Sequence, residues 1–261
     1  MRVRVWGKRP GSILAAFAAL GPAAPGIAVA VPQPAGQETA SPVAQASALV
    51  RLVNPPATML EINLRGWESG VAQTVALDPI IQKLETEHPG VSKAVIDAAR
   101  PLAAVYLKEF VRRGSARKAA ILAERLTPAE ISQLQEFFRT PAGLKIVERT
   151  LSSVDVTPLA REMAEKGAQT GTVSASREDV TKVVTQAARK AMADVSATDQ
   201  IAMLRFMQTP VAAKFGAASA EADRELLDMA NNPDPAFLKE QQDAMIAALL
   251  AYVDRDAPKA K

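Results

Sequence analysis

From Ser41 to about residue 253, apolar residues recur at three- and four-residue intervals, and short polar or Pro-containing breaks separate the runs. No segment sustains the period-two alternation of a half-buried strand. A first helix runs through VAQASALVRLV and stops at Asn54-Pro55-Pro56. A second covers about 57–75, with Met59, Ile62, Trp67 and Val71 on its apolar side. Asp78-Pro79 opens a short helix that ends near His88-Pro89-Gly90. Residues 91–113 read as helical, with Pro101 either kinking the run or starting a second piece. Ser115–Arg125 forms a further helix, and others are expected over 128–139, 141–165, 177–194, 197–208, 210–231 and 235–253. Residues 167–176, GAQTGTVSAS, read as an interior linker, and 254–261, DRDAPKAK, as a polar tail. The expected fold class is all-α.

Two stretches within this pattern say nearly the same thing: EFFRTPAGLKI at 136–146 and RFMQTPVAAKF at 205–215. A shift of 69 superposes residues 108–146 on 177–215 without a gap. Phe137, Thr140, Pro141 and Lys145 then meet Phe206, Thr209, Pro210 and Lys214. The expected organisation is therefore two diverged copies of a three-helix unit, arranged as helical hairpins. The first copy spans 108–166 after an N-terminal helical region at 43–107; the second, with the C-terminal helix, spans 177–253. Thr-Pro pairs at 127–128, 140–141, 157–158 and 209–210 suit helix starts, since Thr caps and Pro fits the first turn. Thr127 and Glu130 have capping-box spacing, and Ser196 and Asp199 repeat it in the second copy. Ile131, Leu134 and Phe138 mark one face of the middle helix; Val147, Leu151 and Val154 mark the next. The shared motif reads as a structural joint with core-packing aromatics.

The stretch FFRTPAGLK at 137–145, preceded by LTPAEI at 126–131, resembles the bacterial domain-of-unknown-function 2059 family. The resemblance implies an exported α-helical protein with an aromatic pair followed by x-[Ser/Thr]-Pro-x-Gly. It extends over about residues 95–155, with a degenerate copy around 165–225, where Met207 replaces the second aromatic and Ala212 the glycine. It implies no catalytic residue.

Ahead of the helical region, MRVRVWGKRPG supplies a positive segment, SILAAFAAL an apolar one, and Ala28-Val29-Ala30 a small-x-small site. This is the pattern of a secretory signal peptide over 1–30. The competing reading, an uncleaved anchor over Ile13 to Val31, is interrupted by Gly21, Pro22, Pro25 and Gly26. Residues 31–42, VPQPAGQETASP, follow as an expected flexible linker. The leader also carries the basicity. The chain has a formal charge of +3, but removing Arg2, Arg4, Lys8 and Arg9 from its 31 Lys and Arg leaves 27, against 28 Asp and Glu. Nucleic acid is therefore not an expected partner. With 48% apolar residues, only 4% aromatic residues and no Cys, a core of Ala, Leu, Val, Ile and Met has to hold the fold without disulfides.

The chemistry-bearing residues are few. His88, the one histidine, sits before Pro-Gly in a turn, so zinc and Ser-His-Asp chemistry both lack their residues. GAQTGT lacks the spacing and lysine of a phosphate loop. No cofactor and no metal site are expected. Carboxylates remain: Asp194 and Asp199 share one interhelical joint, and Glu61 and Glu68 lie seven apart. A cluster of Arg112, Arg113, Arg117 and Lys118, with Lys108 and Arg125 beside it, offers a basic face for an anionic membrane surface or envelope polymer. The alternative is a solvated face balanced by Glu109 and Glu124. The second copy replaces Arg112, Arg117 and Lys118 with Thr181, Gln186 and Ala187, so this charge is not needed to build the fold. The expected function is an exported, periplasmic or secreted, non-enzymatic binding or envelope-associated protein, with a protein, peptide or membrane partner or a second copy of itself. A carboxylate-based hydrolase in a cleft between the units is the alternative.

Overall fold

The computed structural model describes residues 41–171, 173–193 and 195–256. The expected signal peptide, the linker up to residue 40, Asp194 and the tail beyond residue 256 lie outside the described residues. Eleven helices and no strand occur among the described residues: α1 (Pro42–Val53), α2 (Pro56–Leu77), α3 (Pro79–Glu87), α4 (Val91–Arg125), α5 (Pro128–Arg139), α6 (Pro141–Ser153), α7 (Thr157–Thr170), α8 (Arg177–Ala193), α9 (Ala197–Met207), α10 (Pro210–Asn231) and α11 (Pro235–Asp256). The fold is all-α. None of these helices is long and apolar enough to cross a membrane.

Local chemistry explains most helix ends. Ser41, Thr127, Thr140, Ser196 and Thr209 each accept a backbone N–H from the first turn of the helix they open. Thr127 and Glu130 form the full capping box. Asp78 caps α3, taking Ile80 N at 2.8 Å and Ile81 N at 3.1 Å. Ser41 and Pro42, assigned to the linker on sequence, open α1 instead. Thr157 departs from the Thr-Pro rule. It lies inside the first turn of α7, Val156 holds the cap position without a side-chain bond, and Asp155 Oδ1 accepts Thr157 N at 3.0 Å.

Two other helices differ from expectation. Residues 91–125 form one helix of 35 residues, not two pieces broken at residue 114. Pro101 inside it removes the bond to the Asp97 carbonyl, and both residues are exposed, so the freed carbonyl lies on the solvent side. Conversely, the run expected over 141–165 breaks at Val154. Pro158 lacks the N–H that would bond the Val154 carbonyl, and Val154 is buried, where no water could replace it. The chain turns through Val154-Asp155-Val156 and restarts as α7, which takes in Gly167–Thr170 and leaves 171–176 between helices. That stretch is pinned: Val173 and Ala175 are buried, and the Ala175 backbone exchanges two 3.0 Å bonds with the Asn231 amide.

α4, about 52 Å long at 1.5 Å per residue, is the mast of the structure, with α1, α2, α10 and α11 packed along it. Its N-terminal half joins Trp67, Val71 and Ile81 to Phe237, Met245 and Leu249 of α11. Its C-terminal half meets α1, α5 and α10 around Leu122, Ile131, Leu134 and Phe215. Gly114 permits the approach of α10, since a Cβ there would stand 3.3 Å from Leu226. A third core joins α2, α6, α7 and α8 through Ile62, Leu151, Met163 and Val183.

The two similar stretches meet each other. The rings of Phe137 and Phe206, counterparts under the shift of 69, stack at 3.7 Å with an interplanar angle of 2°. Lys145 reaches Asp199 at 2.7 Å, and their counterparts Lys214 and Glu130 form the reciprocal ion pair. Each Thr hydroxyl also donates to the carbonyl three residues back, Thr140 to Phe137 and Thr209 to Phe206, both at 2.7 Å. A residue touching its own counterpart, flanked by reciprocal pairs, is the contact pattern of a local two-fold relation.

Candidate functional site

Beside this stack lies a cavity of about 540 Å³, walled by α5, α6, α8, α9 and α10. Phe137 and Phe138 close one side, with Phe138 edge-on to Phe206 at 5.6 Å and tilted against Phe215 at 5.8 Å. Ile146, Val147 and Leu151 of α6 face Val184, Ala188 and Met192 of α8 across it. α9 supplies Met203, Leu204, Phe206 and Met207. No residue of α9 is fully buried, and Ile201 and Leu204 are half-exposed, so this helix is a thin outer wall. It is held by the Lys145–Asp199 pair and by Gln200, whose amide donates to the Met192 and Val195 carbonyls at 3.1 and 3.0 Å.

The wall is apolar apart from Thr150 of α6 and the polar groups at its ends. Thr185 and Arg189 of α8 are exposed and mark the open side. Asn54 and Lys118, 7% and 3% exposed, mark the closed side. Both also line a second void of about 20 Å³ with Met59, Asn63, Gly114 and Asp223, large enough for one water. Lys118 Nζ meets Asp223 Oδ1 at 3.2 Å. Burial pushes the Asp223 carboxyl above its ordinary range against the pull of Lys118. Asn54 Nδ2 has only Met59 Sδ at 3.7 Å as acceptor, and its Oδ1 is buried without a donor.

The basic cluster has been taken apart by the fold. Arg112 forks onto Glu109 of its own helix, with bonds of 2.7 Å. Arg117 forks onto Glu225, and Arg125 onto Glu221 at 2.7 and 2.9 Å, so α10 answers α4 with a row of acids. Hydrogen bonds from these arginines are the largest cause holding Glu221 and Glu225 below the usual carboxylate range. Arg113 is exposed, while Lys118 is buried and cannot touch a membrane surface. Sequence assigned Lys118 to the wrong environment, although a signal existed. Leu107, Val111, Gly114, Lys118 and Leu122 recur at three- and four-residue steps, so the lysine lies in the apolar stripe of α4. Its counterpart Ala187 is buried too.

Among the described residues, the candidate carboxylates do not assemble. Glu61 is exposed, Glu68 pairs with Arg100 at 2.9 Å, and Asp199, in the first turn of α9, accepts from the hydroxyl of the capping Ser196 and pairs with Lys145. Hydrogen bonds from Lys145 and Ser196 hold Asp199 low. None of them lines the cavity, whose wall contains no Asp or Glu among the described residues. His88 closes α3 through its backbone, N to the Leu84 carbonyl at 2.6 Å. Among the described residues no three His, Asp or Glu side chains converge as a metal ion would require. Phe137, Thr140, Pro141, Phe206, Thr209 and Pro210 form the joints described above, and the two Phe rings also face the cavity.

Residues 116–170, from the last turns of α4 through α7, match the model of a family described as an uncharacterized protein conserved in bacteria (DUF2059). No curated protein and no solved structure matches the chain.

Proposed function

We propose that this is an exported binding protein that carries a small apolar ligand between its two helical units, without catalysing a reaction. The observation that carries the reading is the cavity of about 540 Å³, in the size range of ligand sites and lined by Phe, Met, Val, Ile and Leu. A hydrolase in the same place would need convergent carboxylates, and the wall offers none among the described residues. The thin α9 wall supplies a route of entry, because it buries little and can shift without dismantling a core. Export rests on the leader pattern alone. An ancestral duplication of the three-helix unit accounts for the reciprocal contacts. The cavity then opens beside the seam where the diverged copies no longer fill the space alike.

The test is titration of the mature chain with an environment-sensitive apolar dye such as N-phenyl-1-naphthylamine. Saturable one-to-one binding is expected. Val184→Trp, which fills the cavity from α8, should remove that binding while leaving helicity and the unfolding midpoint near those of the parent. Absence of saturable binding to the parent protein would sink the reading. Export is checked separately by expressing the full chain and sequencing the N-terminus of the protein recovered outside the cytoplasm. Processing after Ala30 is expected.

A further inference from the structure

The closed end of the cavity is built unlike the rest of it. Lys118, 3% exposed, projects from the apolar stripe of α4 and offers three N–H donors, of which Asp223 takes one. Asn54, 7% exposed, turns an unpartnered Oδ1 into the same region. Its amide is otherwise held only by the weak acceptor Met59 Sδ, so a half-turn about χ2 would present Nδ2 instead. Buried donors without acceptors are costly, and a ligand group that accepts from them recovers that cost. Among the described residues, the charged side chains on the wall are Lys118 and Arg189, both cationic. Asp223 already balances Lys118, so the closed end offers a carboxylate hydrogen-bond donors rather than net charge, and the remaining positive charge of the lining is that of Arg189 on the open side. Size agrees. At about 30 Å³ per non-hydrogen atom, the volume share of a water molecule, 540 Å³ accommodates about 18 such atoms. That is the size of a single saturated acyl chain with its carboxylate.

We propose that the ligand is a single-chain amphiphile with a carboxylate head, a long-chain fatty acid in its simplest form. The head accepts from Lys118 Nζ and the Asn54 amide, and the chain lies along Phe137, Phe206, Met203 and Met192. The proposal rests on the reading of the cavity as a ligand site. The direction of the chain follows from the buried, under-bonded polar groups at the closed end, Lys118 and Asn54, and the apolar length runs beneath α9 toward the open side. Asp223 acts through Lys118, holding its ammonium in place, and does not touch the ligand.

The experiment compares palmitate with 1-hexadecanol, which has the same chain and no charge, by displacement of the apolar dye from the mature chain. Palmitate is expected to bind roughly ten- to hundred-fold more tightly, the increment of hydrogen bonds to a charged group. In Lys118→Met/Asp223→Asn, which removes both charges together, palmitate should fall to the affinity of hexadecanol and that preference should vanish. Asn54→Leu provides a second variant, should the first fold poorly, and is expected to weaken palmitate selectively. Equal binding of the two probes to the parent protein would overturn the carboxylate assignment and leave the cavity reading standing. Failure of dye, palmitate and hexadecanol alike would overturn both.

Discussion

Gly143 shows how a single side chain separates the two joints that look alike in sequence. In the first, one residue, Thr140, both ends α5 and caps α6, and a Cβ on Gly143 would run into the Phe137 carbonyl and stand 2.7 Å from Phe138 Cα. In the second, two residues, Gln208 and Thr209, lie between α9 and α10, and the counterpart position holds the buried Ala212. Gly143→Ala is therefore expected to destabilise the protein by about 1–3 kcal/mol, the usual cost of forcing an atom into filled space. Ala212→Gly should cost only about 0.5–1 kcal/mol, through backbone entropy. Urea unfolding of both variants checks the contrast. Lys118 makes a second residue-scale case. Lys118→Met alone strands Asp223 in the interior and is expected to cost on the order of 3–5 kcal/mol, most of it returned by adding Asp223→Asn. A double-variant midpoint no higher than that of the single variant would contradict the pairing.

Several helices here, among them α1, α3, α5, α6 and α10, begin where a short capping side chain and a proline coincide, and such signals are read directly. Thr127, Thr140 and Thr209 cap as their spacing predicts, and Ile131, Leu134 and Phe138 are all buried. The fates of two prolines, by contrast, depended on one non-local fact. Pro101 is tolerated in α4 because Asp97 faces solvent, whereas Pro158 breaks the α6–α7 run because Val154 faces the core. Which side of a helix is wet is not a local property. The turn between α3 and α4 supplies a pH prediction for this scale. Gly90, at φ 97°, positions the chain so that Glu85 accepts Gly90 N at 2.7 Å and Ser92 N at 2.8 Å. Hydrogen bonds, first from the Ser92 side chain and then from these two backbone groups, hold Glu85 below its ordinary value of 4.5. A depressed carboxyl stabilises the fold above its unfolded value and loses that contribution as pH falls through the lower folded one. Glu85→Gln should therefore flatten part of the decline in urea midpoint between neutral and acidic pH. An unchanged decline would exclude Glu85 as a contributor.

At the scale of the whole molecule, the counterparts face one another across the Phe137–Phe206 stack. The ion pairs that flank it, Lys145–Asp199 and Lys214–Glu130, join partly exposed lysines and contribute at most about 1 kcal/mol each. The stack itself is the more consequential contact. A double-mutant cycle of Phe137→Leu and Phe206→Leu is expected to give a coupling of about 0.5–1.5 kcal/mol, the value of an aromatic pair beyond its burial. Additive effects would mean that the two units do not meet as described. The same seam borders the cavity, so the contact that joins the two similar stretches also shapes the space beside it.

The helical class, most helix boundaries, the two related stretches and the apolar stripes are legible along the chain, because caps, prolines and three-to-four spacing act within a few residues. Which stripes meet depends on packing between distant segments. That packing paired Arg117 and Arg125 with acids on a helix about a hundred residues away, dissolving a basic face that looked continuous along α4. It buried Lys118, made Phe137 the partner of its own counterpart, and left a space between α6, α8 and α9 that no single segment describes. Charge pairing and empty volume belong to surfaces brought together from distant parts of the chain, and a linear pattern records the surfaces without recording their meeting.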